Sequence, residues 1–214
     1  MRNEIERRKL VAVVTLPGAD SALPVANALL AGGVTAIELT LRTPAALEGI
    51  ARIRAALPGM LVGAGTVLTP AQVEAAKAAG ARFCVAPGAN PRTLAAARAA
   101  GVFFAPGVFT PSDIETALEA GCSLLKYFPA ASLGLAHLRA MAAPYRHLGV
   151  RFMPTGGVSQ SNLAATLAEP LVAAVGGSWL ATPDLIKAGD FAAIRERARA
   201  AAVALRDAHE GGTP

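Results

Sequence analysis

The strongest constraint on the fold is a repeated punctuation mark. Thr43-Pro44, Thr69-Pro70, Asn90-Pro91 and Thr110-Pro111 each stand immediately before an alanine-rich stretch. A threonine or asparagine can cap the free amides of a helix, and a proline fits the first helical position because its missing N–H would be unpaired there anyway. Gly80, Gly101 and Gly121 close the stretches that follow, as helix-ending glycines do. Ahead of each such helix lies a short apolar run.

This pattern places strands at Val11–Leu16, Ala36–Thr40, Leu61–Gly65, Arg82–Ala86, Val102–Pro106, Ser123–Phe128, Arg151–Thr155 and Leu171–Gly176. It places helices at Ser21–Ala31, Pro44–Ala56, Pro70–Ala79, Pro91–Ala100, Pro111–Ala120, Leu135–Ala143, Gln160–Ala168 and Phe191–Ala208. Runs such as Leu61-Val62 and Leu124-Leu125 do not alternate with polar residues, so both faces of the sheet are covered and the strands run parallel. Eight strand-helix units then specify an α/β fold, a (β/α)8 TIM barrel with a short N-terminal helix formed by the charged leader within residues 1–9. The expected organisation is one barrel domain over residues 1–214, with a frayed tail at 209–214. The rival, an open doubly wound sheet, lacks a glycine-rich dinucleotide fingerprint, for Gly18 stands alone after the first strand.

Composition narrows the function. The chain is 53% hydrophobic and 16% charged, with a formal charge of +5, which favours anions in general. Its basic residues are scattered, without an arginine stripe or zinc-finger spacing, so no nucleic-acid partner is expected. The leader mixes both charge signs and the Leu10–Leu16 run is too short to span a bilayer, so neither a signal peptide nor a membrane partner is expected. Cys84 and Cys122 fit reduced core residues in a cytoplasmic protein. His137, His147 and His209 have no ligand spacing to other donors, and no metal is expected.

In a barrel, chemistry collects at the carboxyl ends of the strands. Lys126 is a charge inside the apolar run Ser123-Leu124-Leu125-Lys126-Tyr127-Phe128, surroundings that would disfavour the ammonium and free the amine to attack a carbonyl. The plainer alternative is a lysine that snorkels or balances Glu38. Glu38, in Ala36-Ile37-Glu38-Leu39-Thr40, is the candidate proton carrier, with a purely electrostatic role as its alternative. Arg42 and Thr66 suit a substrate carboxylate, although a surface arginine and a strand-end threonine would read the same way. Gly156-Gly157 and Gly176-Gly177-Ser178 follow the last two strands, where barrels hold phosphate on backbone amides; ordinary tight turns are the alternative.

Taken together, these segments resemble the family of 2-keto-3-deoxy-6-phosphogluconate and 4-hydroxy-2-oxoglutarate aldolases over nearly the whole chain. The likeness is carried by Gly33-Val34-Thr35-Ala36-Ile37-Glu38-Leu39-Thr40-Leu41-Arg42, by Gly121-Cys122-Ser123-Leu124-Leu125-Lys126-Tyr127-Phe128-Pro129-Ala130 closing at Gly134, and by Gly63-Ala64-Gly65-Thr66-Val67, Pro87-Gly88, Pro154-Thr155-Gly156-Gly157-Val158 and Gly176-Gly177-Ser178-Trp179-Leu180 in the family's order. The resemblance implies a class I aldolase that forms a Schiff base on Lys126, with Glu38 moving protons through water. It implies Arg42 and Thr66 on the substrate carboxylate, Pro87, Phe128 and Thr155 shaping the pocket, and Gly156, Gly157, Gly177 and Ser178 on the phosphate.

The implied substrate is a phosphorylated 2-keto acid cleaved to pyruvate and glyceraldehyde 3-phosphate, with 4-hydroxy-2-oxoglutarate as a second substrate. A homotrimer and no cofactor are implied as well. Three features depart from the family pattern: Tyr127 where an apolar aromatic is common, Ala131-Ser132-Leu133 where some members begin with glutamate, and Thr15 where many relatives place a basic residue. The phosphogalactonate branch is the nearest alternative, although Thr40-Leu41-Arg42 and Gly177-Ser178-Trp179 look more like the phosphogluconate branch. An isomerase using Glu38 as base, and a barrel that only binds sugar phosphates, are the remaining readings.

Overall fold

Strand and helix alternate along most of the computed structural model, which describes residues 1–210. In chain order the elements are α1 (Arg2–Arg8), β1 (Leu10–Val14), a 3-10 turn (Ala19–Ser21), α2 (Ala22–Ala31), β2 (Ala36–Thr40), α3 (Ala45–Ala56), β3 (Leu61–Gly65), α4 (Pro70–Ala78), β4 (Phe83–Val85), α5 (Pro91–Ala99), β5 (Phe103–Ala105), β6 (Gly107–Val108) and α6 (Pro111–Glu119). Then come β7 (Leu124–Tyr127), α7 (Ala130–Ala142), a second 3-10 segment (Ala143–Leu148), β8 (Arg151–Pro154), α8 (Leu163–Leu167), β9 (Val175–Gly177), α9 (Pro183–Ala188) and α10 (Phe191–Glu210). The first two residues of the expected frayed tail continue α10, and 211–214 lie outside the described residues.

All pairings between these strands are parallel, in the orders β5-β4-β3-β2-β1-β9 and β6-β7-β8. Single bridges from Phe152 to Val172 and from Thr155 to Gly176 join β8 to the β9 side. At the other seam β5 passes into β6 across Pro106, whose carbonyl accepts from the Lys126 amide at 2.8 Å. The sheet therefore curls round into the expected (β/α)8-type barrel. Proline has no amide for the ladder, so the expected fifth strand, Val102–Pro106, shortens to β5, and pairing resumes beyond Pro106 in β6, which was not expected.

Local punctuation explains most boundaries. Thr69, Asn90 and Thr110 accept from amides in the first turns of α4, α5 and α6, and at α6 Asp113 returns the bond to complete a capping box. Gly33, Gly80, Gly101 and Gly121 lie at φ 89°, 90°, 68° and 81°, and each is followed by a residue whose amide reaches back into the preceding helix, for example Ala81 to Ala76. That left-handed step ends the helix and turns the chain into the next strand.

Four expectations need correction. Thr43 does not cap α3, because its hydroxyl donates to the Leu16 carbonyl at 2.8 Å and the helix begins beyond it. The expected strand Leu171–Gly176 becomes the later β9, since Glu169 bonds the amides of Leu171 and Val172 in a turn that occupies its first half. The helix expected from Leu135 begins already at Ala130, with a break at Gly134 (φ 69°, ψ −171°), and the one expected from Gln160 shortens to α8. Helix α9 was not expected, although Thr182-Pro183 repeats the same start signal.

Alternate strand residues face two different environments. Ile37, Leu39, Val62, Ala64, Cys84, Leu125, Tyr127 and Phe152 pack into one large cluster with the helices. Val11, Ala36, Leu61, Phe83, Val85, Ala105, Leu124 and Met153 form a second cluster inside the barrel, closed from below by Ile5 of α1. Glu38 and Lys126 have the parity of the second set and lie one step above it.

Candidate active site

Strand β2 carries Glu38 into the barrel interior, level with Val13 on β1 and Gly63 on β3. Strand β7 carries Lys126 inward, level with Gly107 and Met153. The Lys126 Nζ lies 4.0 Å from Glu38 Oε1, and both side chains are buried, Glu38 completely and Lys126 to within 6%. Lys126 thus points across the interior and does not snorkel to bulk solvent. Its ammonium also lies 5.0 Å from the centre of the Phe128 ring, within cation–π range.

Glu38 is unusual for a buried carboxylate. Among the described residues neither of its oxygens has a hydrogen-bond partner, so it is held by charge alone and keeps its lone pairs free. Gly65 explains how it fits, because a Cβ there would overlap Glu38 Oε1, while a Cβ at Gly63 would run into the Phe83 ring. The Gly63-Ala64-Gly65 segment is therefore a cut-out that seats an apolar ring below and a carboxylate above.

Above this pair sit the remaining candidates. Arg42 is exposed at the end of β2 and donates through Nε to Thr40 Oγ1 at 3.3 Å, with no hydrogen bond to Thr66. Thr40, buried, also shares a 2.8 Å hydrogen bond with Thr15. This Thr15–Thr40–Arg42 chain had no sequence signal beyond two threonines at strand ends. Thr66 follows β3 at φ 56°, a costly conformation for a β-branched residue and of the kind that collects at functional sites. Pro87 is exposed, and its carbonyl lies against Gly107, the residue paired with Lys126.

The two glycine segments come together at the β8–β9 seam. Thr155 is buried and bridges to Gly176, whose missing side chain leaves room for the threonine. Gly156 and Gly157 both have positive φ, 83° and 94°, and Gly156 lies against the Phe128 ring. Successive residues of this kind turn their amides outward into an anion-binding concavity. Among the described residues the amides of Gly157, Val158 and Ser178 make no backbone hydrogen bond in the loops, which leaves them free as donors. Gly177 lies beneath the Trp179 ring, and Ser178 is exposed at the rim.

Both thiols stand apart from this chemistry. Burial, with the Glu38 charge adding to it, pushes the Cys84 thiol up to about 12, and burial pushes Cys122 up to about 11. Neither is a nucleophile at neutral pH. Among the described residues no group of three His, Cys, Asp or Glu side chains is gathered in one place, and no helix is long and apolar enough to cross a membrane.

Comparison with known proteins agrees with this geometry. The KDPG and KHG aldolase family matches residues 1–197. The 2-dehydro-3-deoxy-phosphogluconate aldolase of Treponema pallidum is 47% identical over 191 residues, covering 89% of this chain and 90% of that protein. The KHG/KDPG aldolase of Escherichia coli is 40% identical over 193 residues, with 90% of each covered. The crystal structure of KDPG aldolase from Legionella pneumophila, with pyruvate captured at low pH as a covalent carbinolamine intermediate, superposes with a TM-score of 0.89 at 35% identity, covering 94% of this chain and 98% of that one. A buried lysine facing an unpartnered carboxylate inside a parallel barrel, and likeness along nearly the whole chain, lead to one statement: this chain belongs to the KDPG and KHG aldolase family.

Proposed function

We propose that this chain is a class I aldolase that cleaves 2-dehydro-3-deoxy-6-phosphogluconate to pyruvate and glyceraldehyde 3-phosphate through a Schiff base on Lys126. The observation that carries this reading is the 4.0 Å approach of Lys126 Nζ to Glu38, buried together and with the carboxylate free of other partners. Relatives at 47% and 40% identity named for this activity support the substrate class. The carbinolamine of the Legionella enzyme supports covalent chemistry with pyruvate.

The amine of Lys126 adds to the C2 carbonyl to give a carbinolamine, and loss of water gives a protonated imine. Base removes the C4 hydroxyl proton while the C3–C4 bond breaks, its electron pair flowing to the imine nitrogen. The aldehyde leaves and an enamine of pyruvate remains. Protonation of the enamine at C3 and hydrolysis of the imine then release pyruvate and restore the amine. Among the described residues Glu38 is the one carboxylate paired with the amine, and it carries the protons that the dehydration, cleavage and enamine protonation exchange.

Arg42 and Thr66, above the pair, take the substrate carboxylate, while Pro87, Phe128 and Thr155 shape the pocket around the imine. Gly156, Gly157, Gly177 and Ser178 line the phosphate site, where the free amides of Gly157 and Ser178 and the Ser178 hydroxyl are the donors. The whole chain works as one barrel domain. The homotrimer follows from the family resemblance, and the free thiols Cys84 and Cys122 fit a cytoplasmic location. The Escherichia coli relative's name supports 4-hydroxy-2-oxoglutarate as a second substrate.

Borohydride reduction in the presence of pyruvate tests the reading directly. A stable adduct on Lys126, lost together with turnover in Lys126→Ala, is the expected result. Undiminished cleavage without labelling at Lys126 would overturn it, and absence of both cleavage and labelling in wild type would favour an isomerase-like use of Glu38. Comparing kcat/KM for the phosphogluconate, phosphogalactonate and hydroxyoxoglutarate substrates ranks the first highest if the substrate reading holds.

A further inference from the structure

Tyr127 and His137 take no part in the proposed chemistry, yet they are linked to the glycine loop. Tyr127 neighbours Lys126 but has the opposite parity, so its ring is fully buried between β7 and the helix layer. Its hydroxyl donates to the Gly134 carbonyl at 3.0 Å, which leaves the phenol oxygen to accept from His137 Nδ1 at 3.0 Å. Burial holds the phenol above its ordinary range, so it stays a protonated donor. Phe109 completes the support, with ring centres 5.9 Å from Tyr127 and 5.2 Å from His137.

Gly134 is where α7 breaks, at φ 69° and ψ −171°. Such a break exposes a carbonyl that the helix no longer pairs, and the Tyr127 hydroxyl satisfies it. On the other side of the break, the short segment from Ala130 is bonded to the glycine loop: the Ala130 amide donates to Thr155 O and the Ala131 amide to Gly156 O, both at 2.9 Å. A Cβ on Gly157 would overlap that of Ala131, so the segment and the loop are in direct contact. The hydroxyl, the break, the segment and the loop form a continuous chain of bonded groups.

We propose that Tyr127 and His137 are positioning residues for the phosphate end of the substrate, fixing the segment 130–134 that in turn holds the Gly156–Gly157 amides. The proposal rests on the phosphate reading above. It predicts that the latch affects recognition of the phosphoryl group and leaves imine formation at Lys126 alone, because Lys126 lies on the opposite face of the same strand.

The test uses Tyr127→Phe, which keeps the ring, and His137→Ala, which removes the second partner from a partly exposed site. In each variant KM for the phosphorylated substrate should rise about 3- to 10-fold, the loss of roughly one hydrogen bond, and inhibition by inorganic phosphate should weaken in step. The rate of borohydride-trapped labelling by pyruvate, which carries no phosphate, should match wild type. Equal losses in labelling and in KM would overturn the proposal, since a general structural defect would move both. Unchanged KM and phosphate inhibition in both variants would also overturn it. Should Tyr127→Phe not fold, His137→Ala decides alone. The prior reading fails separately: wild type would then show no labelling at Lys126, or no inhibition by phosphate.

Discussion

The lower and upper halves of the barrel are built from the same strands and do opposite work. Moving two residues along β2 replaces Ala36 by Glu38, along β7 Leu124 by Lys126, along β8 Met153 by Thr155. Below, Ile5, Leu61, Phe83, Leu124 and Met153 fill the interior with apolar atoms. Above, a buried ion pair without other hydrogen bonds faces a rim of threonines and glycines. Because a strand repeats every two residues, one inward face supplies both a packed floor and a reactive layer. The lower half lowers the free energy of the fold; the upper half keeps a buried carboxylate with no hydrogen-bond partner and a strained Thr66 that a purely structural protein would not retain.

The largest effect that can break this contrast is at Lys126. Lys126→Met should reduce turnover by about 10⁵-fold or more, as loss of a covalent nucleophile does. It should also destabilise the fold by about 3 to 5 kcal/mol, because Glu38 is left buried and unpaired. The double variant Lys126→Met, Glu38→Leu removes both charges and should be as stable as wild type, or more stable by up to about 1 to 4 kcal/mol, while remaining inactive. Denaturant titration of the single and double variants decides it. A double variant less stable than the single one would show that the pair holds the upper barrel together.

The floor should respond in the reverse sense. Phe83 fills the space that Gly63 leaves and is fully buried. Phe83→Ala should cost about 3 to 5 kcal/mol, read as a lower denaturant midpoint, with kcat/KM per borohydride-titratable site unchanged. A loss of kcat/KM at full labelling would mean that the floor sets the Glu38 geometry and that the two halves are not separable.

The same contrast explains what could be read without coordinates. Glu38 and Lys126 are charges in apolar strands, and such an anomaly is visible in one dimension. The strand-helix units were legible because caps, prolines and glycines act locally, as at Thr69, Thr110 and Gly80. Features that depend on distant partners were not. Thr43 looks like a cap until Leu16 claims its hydroxyl. The start of the last strand depends on Glu169, whose carboxylate turns the chain and pairs with Arg139. Tyr127 and His137 meet across a strand and a broken helix, a spacing that no periodicity marks.

The smallest effect belongs to the rim, where Thr40 links the two halves. It lies one inward step above Glu38, is buried to within 1%, and has a hydroxyl that pairs with Thr15 at 2.8 Å and accepts from Arg42 Nε at 3.3 Å. The strand supplies a rigid platform, and the hydroxyl orients a guanidinium that would otherwise be free in solvent. Thr40→Val keeps shape and strand propensity but removes that acceptor. If Arg42 binds the keto-acid carboxylate equally in ground and transition states, KM for the substrate should rise about 3- to 10-fold with kcat retained. Thr40→Ser should restore it, and Thr15→Val, which leaves the acceptor in place, should have a smaller effect. Stability should change little in Thr40→Ser, in contrast with Phe83→Ala. A fall in kcat without a rise in KM would place Thr40 among the groups that act on the reacting atoms, and would move the boundary between packing and chemistry one residue higher on β2.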